Sequence, residues 1–238
     1  MNVAFSREQL EQLRQFDTCT VSNAIEQLHI RPRNEGFVRN TVTCRFPRLS
    51  PVIGYAVTAR MRASMPPVKG RCYYEHPDYW RYLVSVPYPR IIVMQDLDDP
   101  PGAGALLGEA YARIGRALGC VACLTNGTVR DLPAIEALGF QIFARGLSVS
   151  HAYAHVVDFG GSVEIGGLPI SSGDLLHGDL HGIHQIPREA VGCLADLAEQ
   201  AAQRDRDLAA FVDRKDFSVD LLAARLEEGG IPQLCDRS

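Results

Sequence analysis

Three residues in the middle of the chain have types and spacing that suit the chemistry of a small anion. Glu109 is followed, after twenty intervening residues, by the adjacent pair Arg130 and Asp131. The Arg130 guanidinium is a planar fork that matches a carboxylate. Asp131 offers the hard oxygen that Mg²⁺ accepts, with waters filling most of the remaining positions. Carboxylate, guanidinium and carboxylate together would hold an anionic substrate and a divalent cation in one place. A plainer reading stands beside this one: Asp131 as a helix cap, Arg130 as a solvated side chain, and Glu109 paired with Arg113 one helical turn on. The glycine-rich GAGALLG before Glu109 adds little. No Lys-Ser/Thr follows it, and Gly102, Gly104 and Gly108 miss the dinucleotide spacing.

The elements around the trio form a repeating pattern. RIIVMQD at 90–96 is a buried strand and LDDPPGAG its exit loop. A helix is expected over 105–118, with Leu107, Ala110, Ile114 and Ala117 on one face. A strand at 120–125, a turn NGTVRD, a helix at 131–138 and a strand QIFAR follow. Asp131 stands at the cap position of that last helix, Pro133 lies in its first turn, and Gly139 stops it. The order β-α-β-α-β predicts a parallel sheet with crossover helices. Ligands of such sheets collect beyond the carboxyl ends of the strands, where a helix N-terminus favours an anion. Arg130 and Asp131 fall there.

Elsewhere the pattern predicts helices over 6–15, with Ser6 and Gln9 in capping-box spacing, and over 18–28. A strand is expected at 52–62, a short helix at DYWRYL, and short strands HVVDF, SVEIGG, LPI and IHQIP between 154 and 187. Helices over 188–212 and near 218–227 close the chain.

The 238 residues are 46% hydrophobic and 22% charged, with a formal charge of −4 and a pI near 6.0. These values argue against a nucleic-acid coat protein. No run of about 18 apolar residues is present, so no membrane partner is expected. The N-terminal stretch has no signal-peptide character, and seven widely spread cysteines suit reduced thiols in the cytoplasm. Cys120 and Cys123 form a CxxC inside an apolar strand, where residues three apart should face opposite ways. Both are expected to be core material. His151 and His155 would share a face if they lie on a helical turn. His177, His181 and His184 cluster near Asp174 and Asp179. All are expected to be surface or hydrogen-bonded histidines rather than zinc ligands. Asp96, Asp98 and Asp99 read as turn formers.

The order Gly-Glu, twenty residues, NGTVRD and then FARG resembles the RraA-like family, which includes the 4-hydroxy-4-methyl-2-oxoglutarate/4-carboxy-4-hydroxy-2-oxoadipate aldolases. VSNAIEQL, VIGYAVTAR and GGLPISSGDLLHGDLHGIHQIP extend the resemblance to about residues 16–200 of a single domain, with 201–238 as a helical extension. It implies an α/β fold: an α/β/β-type layered domain around a central sheet with parallel strands, plus N- and C-terminal helices.

The resemblance also implies a class II aldolase or decarboxylase, a lyase that uses Mg²⁺ or Mn²⁺ to release pyruvate from a small anionic 2-oxo acid. Asp131 would anchor the metal and Arg130 the carboxylate and keto end of the substrate, while Glu109 would position a metal-linked water that relays protons. Gly108, Ala110, Tyr111 and Asn126 would contribute to substrate binding, with the backbone N–H groups of 105–110 near the carboxylate. Many members carry Asp where this chain has Asn126, which keeps an oxygen and loses a charge. The stretch 64–89 departs from the family pattern. Arg71, Tyr73, Tyr79 and Trp80 within it are either specificity residues or an aromatic packing patch. A homotrimer or hexamer with sites between subunits is implied. The alternatives are a non-catalytic regulator that binds a ribonuclease, or an enzyme of altered substrate on the same scaffold.

Overall fold

Four strands set the frame of the molecule: β2 (Val52–Arg62), β3 (Arg90–Asp96), β5 (Cys120–Val129) and β6 (Gln141–Leu147), each parallel to the next. The structure, a computed structural model, describes residues 5–68 and 77–227. Helices α3 (Pro77–Ser85), α4 (Glu109–Ala117) and α5 (Leu132–Ala137) make the three crossovers. The strand order never reverses among these four, so right-handed crossovers lay all three helices on one face. α1 (Arg7–Leu13), α2 (Thr18–Glu26) and α6 (Leu194–Val212) cover the same side.

Antiparallel strands complete a mixed nine-stranded sheet. β1 (Thr43–Cys44) pairs with β6 at one edge. β10 (Leu175–Asp179) joins β2 and carries β11 (Gly182–Ile186), β7 (His155–Phe159) adds to the far end of β2, and β4 (Ala105–Leu107) runs parallel to the end of β5. The hairpin β8 (Val163–Ile165) and β9 (Leu168–Ile170) forms a second small sheet.

The expected layering is observed. Val57, Ala59, Met61, Ile92 and Met94 face the helices with Leu13, Tyr79, Tyr111 and Ile135. Ala56, Ile91, Val93, Ala122 and Leu124 face the other way, against Val163, Ile165, Leu168 and Ile170 of the hairpin. Strands buried on both faces explain the unbroken apolar run of residues 91–94 within RIIVMQD.

Several boundaries differ from the sequence reading. Residues 105–107 are strand β4, and the helix begins at Glu109, because the segment pairs with β5 before it turns. NGTVRD is not a turn: β5 continues through it to Val129, with a register shift between Thr125 and Thr128. A second shift at the start of β5 pairs Arg90 with Cys120 and Ile91 with Ala122. The extra residue turns Cys120 and Cys123 to the same face, toward the helices, rather than to opposite faces. Both thiols are buried, and desolvation pushes Cys120 up to about 12 and Cys123 further. Strand β10, not anticipated, lies inside the LLHGD segment. α6 spans residue 200 and buries Leu194, Ala198 and Ala201 at helical spacing, so the supposed boundary there falls inside one packed helix. α7 (Val219–Glu227) buries no residue, and Arg225 stacks on the Phe211 ring at 4.5 Å.

The shift in β5 is bridged by a side chain. Asn126 accepts from the Asp96 N–H at 2.7 Å and donates to the Asp96 carbonyl at 2.9 Å. It thus replaces the ladder bonds that β5 loses as it leaves β3 for β4. The amide supplies the donor and the acceptor from one planar group, which a carboxylate does not. Gly127 follows because a Cβ there would sit 3.0 Å from Asp96 Oδ2. Asp96 is buried and accepts from the Asp98 and Gly102 N–H groups. Asp98 accepts from Ala63 and Ser64, as a loop former should.

The late Gly-Asp pattern is also structural. Asp179 accepts from the Thr18 N–H at 2.9 Å and its hydroxyl at 2.6 Å, fastening α2 to β10. Beside it His177 and His184 face each other across β10 and β11, with ring nitrogens 3.3 Å apart. Both are buried and bonded to each other, the hydrogen-bonded alternative rather than the surface one. Desolvation lowers His177 to about 4 and carries His184 well below its ordinary range.

Two expectations follow. Asn126→Asp removes the donor and sets a carboxylate beside Asp96; unfolding in urea should show a loss of about 1–3 kcal/mol. The histidine pair should make the fold acid-sensitive. Each ring binds a proton more readily unfolded than folded, so stability is complete above about pH 6.5 and falls as pH drops toward 4. Denaturation midpoints across that window should decline in the native chain and flatten in a His177→Leu/His184→Leu variant.

Candidate active site

The carboxyl ends of β4 and β5 lie side by side, and the chain leaves both toward helices. Gly108 links β4 to α4; Arg130 and Asp131 link β5 to α5. The Arg130 N–H donates to the Leu107 carbonyl at 3.1 Å, which keeps the two exits in register. Asp131 adopts a left-handed backbone, φ 58° and ψ 34°, a conformation that Asp tolerates better than most side chains.

That conformation sends the Asp131 carboxylate away from its own helix. It makes no cap bond to α5. Instead Oδ2 accepts from the Glu109 N–H at 3.1 Å, at the start of α4, whose own cap residue is the side-chain-less Gly108. A Cβ on Gly108 would lie 2.5 Å from that oxygen and 3.1 Å from Arg130 Cγ. Asp131 therefore caps the neighbouring helix, not the one it precedes. Its other oxygen accepts from Arg130 Nε at 3.3 Å. The Glu109 N–H, then Arg130 and the nearby His151, hold the carboxyl below the usual range and ionised. Among the described residues the Arg130 Nη groups make no further hydrogen bond, and the side chain is 31% exposed.

Arg130 and Asp131 open on a cavity of about 630 Å³, walled by Leu132, Pro133, Leu147, Ser148 and Val149. Leu147 and Val149 are largely exposed, Val149 at 95%.

The other predicted residues are placed less centrally. Glu109 comes to Asp131 through its backbone, while its carboxylate is held by Arg113 at 2.6 Å, the one-turn pairing anticipated as its plainer role. Ala110 is exposed in the first turn of α4, where its N–H has no partner within the helix. The Tyr111 side chain is withdrawn from the pocket: it is 2% exposed and packs on Trp80 at 5.1 Å, because it lies on the sheet-facing side of α4. Asn126 is likewise occupied at the β5 shift. Tyr79 is fully buried against Trp80 and Phe159, the packing-patch alternative, while Trp80 is half-buried. Arg71 and Tyr73 lie outside the described residues.

One neighbour was not foreseen in this role. His151 Nδ1 donates to the Ala105 carbonyl, 2.7 Å away, and the Ser150 carbonyl accepts from the Ala105 N–H at 3.0 Å. These bonds sew the loop after β6 onto β4 and bring the imidazole near Asp131. Nothing in the sequence signals this contact, since the partner lies 46 residues away. His155 is buried and bonded to the Tyr153 carbonyl, so the two histidines do not form a pair on one face. Among the described residues no three His, Cys, Asp or Glu side chains converge as a metal cage. A cation held mainly by water and one carboxylate would need a single acid, and Asp131 is the one acid in the lining of this cavity.

Comparison with known proteins bears on the family and the fold. A Halalkalibacterium halodurans protein, provisionally named a 4-hydroxy-4-methyl-2-oxoglutarate aldolase, is 32% identical over 104 residues, 43% of this chain. The match spans about half (48%) of that relative's length. An uncharacterized Pseudomonas syringae pv. tomato protein superposes with a TM-score of 0.73 at 19% identity, covering 95% of this chain and 97% of its own. Streptomyces coelicolor RraAS2, described as an unusual member of the RNase ES inhibitor RraA protein family, superposes with a TM-score of 0.67 at 21% identity, covering 86% and 96%. At those identities the two structures speak for the fold. Residues 18–184 match the RraA-like, Aldolase/RraA family, and the chain belongs to it.

Proposed function

We propose that the protein is a divalent-metal-dependent lyase that cleaves a C–C bond of a small 2-oxo acid and releases pyruvate. The observation that carries this reading is the ionised Asp131, capping α4 beside an Arg130 whose outer nitrogens point to an open cavity. Mg²⁺ or Mn²⁺ is the proposed cofactor, held through Asp131 with water completing its shell. When bound, it polarises the 2-oxo group as a Lewis acid.

The chain's own residues do the rest. Arg130 takes the substrate carboxylate and the 2-oxo oxygen with its Nη groups, and the unpaired first-turn N–H of Ala110 is a further donor for the carboxylate. For a 4-hydroxy-2-oxo acid, the 4-hydroxyl loses its proton, the C3–C4 bond breaks, and its electrons move to the C2 oxygen. The enolate formed is stabilised by Arg130 and then protonated at C3. Oxaloacetate yields the same enolate by loss of CO₂. Glu109, 41% exposed, is the second acid of the site; freed from Arg113, it moves the proton through water. Leu132, Pro133, Leu147 and Val149 shield one side of the reacting carbons.

A coupled assay of pyruvate release, from oxaloacetate and from 4-hydroxy-2-oxo dicarboxylates, tests this reading. Activity should need Mg²⁺ or Mn²⁺ and disappear with chelator, and Arg130→Ala should lower kcat/KM by about 10²–10³. Turnover indifferent to chelator and to Arg130→Ala would sink it. Absence of turnover on every substrate, with binding to a ribonuclease, would favour the regulator instead. Glu109→Gln leaves the N–H to Asp131 in place, so any loss it shows measures the carboxylate alone. Gly108→Ala should be as damaging as a change to Asp131 itself, with the Asp131 carboxyl, followed by NMR, titrating closer to its ordinary value.

A further inference from the structure

A second cavity, lined by described residues, lies at the opposite end of the sheet. It holds about 740 Å³ at the amino ends of the parallel strands, with α1 along one side. Its floor is the buried Leu10, Ile53 and Phe140, and Phe5 and Tyr88 form its walls. Tyr88 is 60% exposed, and its ring lies across Gly119, where a Cβ would come within 2.9 Å of it. The size is that of a pocket for a small organic molecule.

The charge on the rim is one-sided. Arg7, Arg14 and Arg116 line the cavity with a single acid, Glu11. Glu11 is already paired with Arg14 at 3.1 Å. Arg7 and Arg116, one from α1 and one from the last turn of α4, make no ion pair with another described residue. Two unpaired guanidiniums beside an exposed aromatic ring and an apolar floor are complementary to one kind of occupant. It has a flat apolar body and a carboxylate or sulfonate at its edge.

We propose that this cavity is a second ligand site, which takes an amphipathic aromatic anion. Tyr88 and Phe5 hold the body and Arg7 and Arg116 the charge. The site shares no residue with the Arg130 cavity.

Fluorescence titration of the full chain with 1-anilinonaphthalene-8-sulfonate tests the proposal, with N-phenyl-1-naphthylamine as the uncharged counterpart. The anion should bind at one site per chain. Arg7→Glu/Arg116→Glu should weaken it by about tenfold or more while leaving the neutral probe nearly unchanged. Arg7 and Arg116 are exposed, so circular dichroism should report an intact fold. Arg81→Glu, also exposed but on α3, should have no effect. Equal binding of the anion to native chain and double variant would overturn the proposal, as would loss of binding in Arg130→Ala. A change in molecular mass by light scattering in the double variant, with probe binding untouched, would make this face an interface between copies and would also overturn it.

Discussion

The arrangement at the centre of this protein depends on one hydrogen bond between two crossover units. Asp131, at the end of β5, reaches over Gly108 to the first N–H of α4. A helix whose cap residue has no side chain thereby gains one from a neighbouring strand exit. The bond fixes three things together. It sets the start of α4 against the start of α5, it keeps the Asp131 carboxyl ionised, and it leaves Arg130 lying along Gly108 with its far nitrogens open. The left-handed backbone at Asp131 is the local cost of that geometry.

The bond is possible only because β5 changes partners midway. Up to Thr125 it pairs with β3; from Thr128 it pairs with β4. Asn126 and Gly127 make the change, the amide standing in for ladder bonds and the glycine admitting Asp96. Without the shift, β5 would stay beside β3, and its exit would not meet the exit of β4. Asn at this position thus has a structural reason in this chain. The Asp96 carbonyl needs a donor, and a carboxylate has none.

The strand order has a second consequence. With all three crossover helices on one face, the four parallel strands have no point where their order reverses, and so none of the crevice that such a reversal opens among them. The polar site is built instead from an extra short strand and from the loop after β6, which Ala105 binds through Ser150 and His151. The hairpin β8–β9 covers the face that a second layer of helices would cover in a doubly wound fold.

Much of this was legible in the residues themselves. The apolar periods located β2, β3, β6 and most helices, and the alternation of strand and helix from 90 to 145 predicted the parallel sheet. Arg130 and Asp131 at a strand exit were evident for the same reason: local pattern decides where a strand stops and a helix begins. What the tertiary structure decided was which partner each polar group takes. The partners of Asp131, Asn126 and His151 lie 22, 30 and 46 residues away. One-residue register shifts turned Cys120 to the face of Cys123 and moved β5 from β3 to β4. Such shifts leave no mark in a hydrophobic pattern, because they are set by the fit between neighbouring strands. The sequence by itself determined the elements and the residue types at their ends; only packing decided that a presumed cap of one helix would cap another and face a cavity.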